Sequence, residues 1–210
     1  MSFKVYLLLF TLLCGRTLLA STIFTPESWS KGLHLLAGGG MNTSYYTSLG
    51  YQGKIGLGLN FKTDLGYYLN DRWALELSST VKFNKLHDFL VWDTLFTFGV
   101  RYRVRDFFIR TFYGRAPTVF YSIDNTPLQF EERSVARLQY DGPVMGFGFG
   151  QMYLTDGGTN WFIELTATYQ DLERVSLIGL KGEVPVVIEQ SRQEDTKILG
   201  LIASVGVLVF

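Results

Sequence analysis

The feature that most constrains this chain is a long alternation of large apolar residues with small or polar ones. Between residues 55 and 69, the odd positions hold Ile55, Leu57, Leu59, Phe61, Leu65, Tyr67 and Leu69. The even positions there are mostly glycine, asparagine, lysine and aspartate. A period of two is that of a β-strand, whose successive side chains point to opposite faces. Such a strand has one apolar face and one face that is small or charged.

The same alternation recurs in segments that turn residues separate. Strands are predicted over 31–41, 55–69, 73–83, 92–102, 107–113, 145–149, 161–169 and 198–210. Tight turns are predicted at Asn70-Asp71, at Arg105-Asp106 and at 155–158, whereas the other connections are longer. Short turns at one end and long loops at the other are typical of outer-membrane barrels. The predicted fold is therefore all-β, an eight-stranded antiparallel up-and-down transmembrane β-barrel.

Composition excludes several classes of function. The chain has 19 basic and 19 acidic residues, a formal net charge of zero, so we expect no nucleic-acid partner. Its one cysteine, Cys14, excludes a disulfide within the chain and a multi-cysteine metal site.

The first twenty residues have the pattern of an export signal. Lys4 supplies a positive charge, residues 5–13 are apolar, and Ala20 precedes a plausible cleavage point. The apolar run is about half of the ~20 residues that a membrane-spanning helix needs. We therefore predict a signal peptide over 1–20 and a barrel domain over 21–210.

A soluble, lipocalin-like barrel of eight strands is the alternative, and it would place the apolar face inside. The glycines and charges of the polar face suit a narrow lumen better, and the large apolar side chains suit lipid. Aromatic residues also stand at the short-turn end of almost every strand: Trp29, Tyr67, Trp73, Tyr102, Phe107, Tyr153, Trp161 and Phe210. Such residues form a girdle at headgroup level, here the periplasmic one, which makes outer-membrane lipid the expected partner.

The glycine-rich second strand, the following Gly66-Tyr67-Tyr68-Leu69-Asn70-Asp71-Arg72-Trp73 and the terminal Phe210 resemble the OmpA/OmpX-type outer-membrane β-barrel superfamily. This resemblance covers the chain after the signal peptide and implies the outer membrane of a Gram-negative envelope. It also implies that the barrel-assembly machinery recognises Phe210. The last strand is apolar on both faces, so alternation leaves its facing open.

Charged residues on the polar face are expected to meet at one height. Pairing across Asn70-Asp71 places Asp64 opposite Glu76 with Lys62 diagonal to it, and pairing across Arg105-Asp106 places Arg101 opposite Arg110. The predicted charge belt is Lys62, Asp64, Glu76, Arg101, Arg110 and Glu164. An eight-stranded barrel has room only for side chains, which favours a structural plug over a gated ion or proton path.

Catalytic candidates are few, because the chain has two histidines. His34 lies on the first strand near the periplasmic end, and His87 lies beside Asp88 in the loop after the third strand. No serine is placed for activation, and two distant histidines lack the spacing of metal ligands. We therefore predict no catalytic residue, metal or cofactor.

The two later outer hairpins, with tips near Phe130 and Pro185, are long enough to rise above a membrane. They contain apolar residues, among them residues 119–121 and 184–188. Either their exposed edges bind a surface partner, or the two hairpins pair with each other and cover these residues.

The expected function is a role in envelope integrity or surface interaction without enzymatic activity. The alternative is a narrow channel or transporter for small or apolar solutes, which would need an open lumen. A lipid-A-modifying enzyme that uses His87 is the third class.

Overall fold

The computed structural model describes residues 32–47, 54–86, 89–122, 128–130, 133–153, 160–181, 184–190 and 195–209. The described strands are β1 (Gly32–Tyr46), β2 (Lys54–Tyr68), β3 (Trp73–Leu86), β4 (Phe89–Val104), β5 (Phe107–Arg115), β6 (Thr118–Ser122), β7 (Leu128–Phe130), β8 (Arg133–Asp141), β9 (Pro143–Tyr153), β10 (Asn160–Lys181), β11 (Val184–Gln190) and β12 (Asp195–Leu208). The predicted signal peptide, the predicted turn at 155–158, Trp29, His87, Asp88 and Phe210 lie outside the described residues.

Eight of these strands close into a barrel. The order around the ring is β3, β2, β1, β12, β10, β9, β5 and β4, and β4 pairs with β3 to complete it. Every pairing in the ring is antiparallel. The predicted eight-stranded antiparallel barrel is confirmed.

The apolar face of each strand points outward. On β2, Phe61 is 59% exposed and the neighbouring Lys62 is only 4% exposed. The last strand follows the same rule, with Ile202 and Ser204 inside and Val205 and Val207 outside. The packing thus decides the facing that alternation in β12 leaves open.

The turn between β2 and β3 is longer than predicted. It comprises residues 69–72, and the Asn70 side chain accepts hydrogen bonds from the backbone N–H groups of Arg72 and Trp73 at 2.9 and 3.0 Å. The register consequently moves by two residues. Asp64 lies opposite Ser78, not opposite Glu76, which was the prediction. A shift of two leaves every side chain on its predicted face.

The first strand also runs further than predicted, to Tyr46 and not to Met41. In the added part of the strand, the polar residues Asn42 and Ser44 point into the lumen. There the Asn84 amide donates to the Ser44 hydroxyl at 3.4 Å, and the Asn42 amide donates to Asn84 at 3.0 Å.

One side of the barrel continues outward beyond the ring. β4 pairs with β6, β6 with β8, β8 with β10, and β10 with β11. The two long hairpins therefore pair with each other, the second of the predicted alternatives, and Phe120 of β6 is fully buried. Phe130 ends β7, and Pro185 is the second residue of β11.

Candidate functional site: a buried charge belt in the lumen

All six residues of the predicted charge belt point into the lumen, and all are buried. They come from five strands: Lys62 and Asp64 from β2, Glu76 from β3, Arg101 from β4, Arg110 from β5 and Glu164 from β10. Arg101 and Arg110 lie directly opposite each other, as their predicted register requires. The structure brings all six into one connected group.

Each carboxylate of the belt contacts more than one cation. Asp64 lies 2.9 Å from Lys62 Nζ, 3.1 Å from Arg110 Nη1 and 3.6 Å from Arg101 Nη2. Glu76 lies 2.8 Å from Arg101 Nε and 3.7 Å from Arg110 Nη1. Glu164 pairs with Lys62 and lies 3.4 Å from Arg110 Nε. Three positive and three negative charges thus compensate one another where burial would make a lone charge costly.

Hydroxyl groups complete the belt, and sequence reasoning missed them. The Ser78 hydroxyl donates to Asp64 and accepts from Arg110 Nη1 at 2.8 Å. The Thr166 hydroxyl donates to Glu164 Oε1 at 2.7 Å. Both residues occupy inward positions in the alternation, which was the available signal. Charged partners strengthen such hydrogen bonds, so these hydroxyls help to hold the carboxylates in position.

Each cation of the belt also lies over an aromatic ring. Arg101 Cζ is 4.1 Å from the centre of Phe108, and Arg110 Cζ is 4.7 Å from the centre of Phe112. Lys62 Nζ is 5.7 Å from the centre of Phe162. These are cation–π distances, which favour a positive charge that has lost its water.

His34 joins the belt, which was not predicted. Its Nε2 lies 3.1 Å from Glu76 Oε1, and its ring lies 4.6 Å from that of Tyr68. Gly66 makes room for it, since a Cβ at Gly66 would lie 2.2 Å from His34 Cε1. The histidine therefore packs as part of the lumen filling.

A second buried ion pair, also missed, joins Lys82 of β3 to Asp93 of β4 at 2.8 Å. The signal was present, since both residues occupy inward positions, but their pairing depends on the register of β3 with β4. This pair lies further toward the long-loop end than the belt.

Apolar side chains fill the lumen on both sides of the belt. An inner cluster at the short-turn end consists of Leu36, Phe108, Met152 and Phe162, with Leu208 packed against it. An outer cluster at the long-loop end consists of Tyr46, Leu86, Phe89, Val91, Leu95, Phe112, Ala116, Phe120, Leu138, Tyr140, Val144, Leu172, Ile198 and Ile202. Between the belt and the outer cluster, a cavity of about 10 Å³ is lined in part by Lys62, Arg110 and Ile202. That volume holds about one water molecule.

The described girdle residues lie on the outer wall near the short-turn end. Trp73 and Tyr102 are register partners with ring centres 4.5 Å apart, and Tyr153 is the register partner of Trp161. Tyr67 and Phe107 are exposed at the same end.

An apolar band separates these aromatics from a row of charges. On β5 the band runs from Phe107 to Arg115, and on β10 it runs from Trp161 to Asp171. Asp171 is the register partner of Lys197 on β12. The band thus spans nine residues on β5 and eleven on β10. A tilted strand needs about 9–11 residues to cross a bilayer, so the band has the height of one membrane crossing.

The described ranges contain no group of three or more His, Cys, Asp or Glu side chains that could hold a metal ion. Within the same ranges, no helix is long and apolar enough to cross a membrane. His34 contacts Glu76 inside the lumen, away from the outer surface where a lipid substrate would lie.

The sequence matches no known protein family and no curated protein. Its fold matches that of Ail, the attachment invasion locus protein of Yersinia pestis, in complex with the heparin analogue sucrose octasulfate, with a TM-score of 0.54 and 14% identity. That match covers 85% of this chain and 99% of Ail. The outer membrane protein OprG from Pseudomonas aeruginosa gives a TM-score of 0.47 at 12% identity, over 85% of this chain and 96% of OprG.

The likeness to Ail is a likeness of fold, that of an eight-stranded antiparallel barrel. In this chain the ring of eight strands is closed by the pairing of β4 with β3. The chain therefore has a closed eight-stranded antiparallel β-barrel fold, which it shares with Ail.

Proposed function

We propose that this protein is an integral β-barrel of the Gram-negative outer membrane. Its own side chains close its lumen. It acts in envelope integrity or surface interaction and catalyses no reaction. The apolar band between the aromatic girdle and the outer charges supports the membrane placement, because its height matches a bilayer crossing.

The observation that best supports a closed lumen is that three layers of side chains fill it. The inner cluster, the charge belt and the outer cluster follow one another along the axis. The belt is neutral and each of its carboxylates contacts at least two cations, so it holds the walls together electrostatically. A solute would have to displace both the ion pairs and the aromatic residues of the outer cluster.

Planar-bilayer recording of the refolded protein tests this proposal. We expect no discrete single-channel openings, because passage would require breaking buried ion pairs in a site with little water. Discrete openings in the unaltered protein would contradict the plug and favour the narrow channel or transporter.

The enzyme alternative is tested by mass spectrometry of lipid A from cells with the native chain or with His87→Ala. We expect the same lipid A spectrum from both.

The hairpins near Phe130 and Pro185 pair with each other along β8 and β10, and we propose that a surface partner binds the edge strands that this pairing leaves among the described residues, β7 and β11. Pairing of β8 with β10 makes them a continuous extension of the barrel wall beyond the outer charges. Replacing residues 176–190 by a short turn should reduce adhesion of cells that display the protein, while the detergent-folded barrel remains heat-modifiable on gels. Unchanged adhesion would contradict a role for this hairpin.

A further inference from the structure

The outer wall of β2 to β5 contains an apolar groove with a volume of about 670 Å³. Its lining includes the small residues Thr63 and Ser79, which are register partners, and also the large residues Leu77, Phe96 and Tyr113. The groove exists because two small side chains stand among large ones on this wall. Its volume lies within the ~300–1,000 Å³ typical of small-molecule sites.

The groove runs obliquely up the wall and ends at a cation. Ser79 is the register partner of both Thr63 and Phe96, and Phe96 is the register partner of Arg115. Thr63 lies four residues from the girdle residue Tyr67, whereas Arg115 lies eight residues from Phe107. The row therefore climbs toward the long-loop end across three interstrand spacings, about 14 Å.

Arg115 stands at the outer rim of the groove. Its side chain is 73% exposed, and its Nη2 donates to Asp141 Oδ2 at 2.8 Å. A guanidinium group has five N–H donors, so this contact orients the group and leaves donors directed to solvent. Arginine binds phosphate through two parallel hydrogen bonds, which an oriented guanidinium group favours.

We propose that this groove binds one phosphorylated lipid of the outer leaflet, with an acyl chain along the Ser79 row and a phosphate on Arg115. The proposal rests on the membrane placement proposed above. The two halves of the site match the two parts of such a lipid. The apolar groove lies at the depth of the hydrocarbon and suits the acyl chain, and Arg115 lies at the height of the outer charges and suits the phosphate. Lys197, an exposed cation at the same height on β12, does not line the groove and serves as a control.

Native mass spectrometry of the refolded barrel in detergent, titrated with lipid A, tests the proposal. We expect one retained lipid A on the native chain, and affinity at least about tenfold lower for Arg115→Gln. Ser79→Leu, which fills the groove without adding charge, should weaken binding as well. Lys197→Gln should bind as the native chain does. Dephosphorylated lipid A should bind the native chain and Arg115→Gln equally weakly.

Equal affinity of the native chain and Arg115→Gln for phosphorylated lipid A would overturn the proposal. So would an equal loss in Lys197→Gln, because that would indicate attraction by surface charge in general. Heat-modifiable gel migration of each variant separates these outcomes from misfolding. A chain that folds without detergent would refute the membrane placement itself.

Discussion

Lys82 on β3 and Asp93 on β4 are register partners whose side chains pair inside the lumen, with Nζ and Oδ2 2.8 Å apart and both side chains fully buried. The two charges lie apart from the belt, so each has the other as its ion-pair partner among the described residues. An isolated buried pair of this kind is the place where electrostatics in the lumen can be measured most directly.

Changing Lys82→Met should leave the Asp93 carboxylate buried without a compensating charge. Breaking one partner of a buried pair typically costs roughly 3–5 kcal/mol of unfolding free energy. Urea unfolding in detergent micelles measures the loss. The double variant Lys82→Met/Asp93→Val should recover most of it, because apolar residues often replace a buried pair without loss. A double variant as unstable as the single one would show that packing, and not charge, sets the cost.

Changing Glu76→Gln should destabilise the barrel by a similar amount, roughly 3–5 kcal/mol. Arg101 Nε would lose the charge of its 2.8 Å partner, and His34 would lose a carboxylate at 3.1 Å. Glu173→Gln is the matched control, since Glu173 is exposed on the outer face of β10 and should shift stability by less than about 0.5 kcal/mol. If both variants unfold at the same urea concentration as the native chain, the charge of Glu76 in the belt does not contribute to stability.

The glycines of residues 38–40 provide a test of how tightly the barrel is packed. A Cβ at Gly40 would lie 1.9 Å from the backbone oxygen of Ala203, whereas the nearest atom to a Cβ at Gly39 is 3.1 Å away. Gly40→Ala should therefore cost about 1–3 kcal/mol or prevent folding, as overpacking does. Gly39→Ala should fold with a clearly smaller loss. The yield of heat-modifiable barrel after refolding measures both, and equal yields would contradict the backbone approach of β1 and β12.

Deleting Phe210 should lower the amount of folded protein in the outer membrane far more than it lowers the stability of protein refolded in vitro. The reason is the role in assembly that the family resemblance implies for a terminal aromatic residue. Quantitative immunoblots of membrane fractions and urea unfolding provide the two measurements. An equal loss in both would show that Phe210 contributes packing alone.

The fold could be predicted because alternation is a local property. Phe61 and Lys62 are neighbours in sequence and necessarily point to opposite faces of β2, whatever the strand pairs with. For the same reason, the inward facing of all six belt residues followed from their positions in the sequence. A strand with apolar residues on both faces, such as β12, carries no such signal, and its facing depends on how Ile202 and Val205 pack in the closed ring.

Register could be predicted only where the turn was read correctly. The two-residue turn at Arg105-Asp106 places Arg101 opposite Arg110, as expected. The turn at residues 69–72 is longer than the Asn70-Asp71 pair suggested, because the Asn70 side chain caps the backbone of Arg72 and Trp73. Asp64 therefore meets Ser78. The belt still formed, since arginine and lysine side chains are long enough to span a register shift of two residues.

What the sequence by itself determined is the two-faced strand, and with it an apolar exterior and a polar lumen for Lys62, Glu76 and Arg101. Only the tertiary structure decided which polar residues meet, His34 with Glu76 and Lys82 with Asp93. It also decided which strands of the two long hairpins pair, β8 with β10. The physical reason is that the direction of a side chain follows from its own backbone. Contacts between strands depend instead on turn lengths, on shear and on closure of the whole ring.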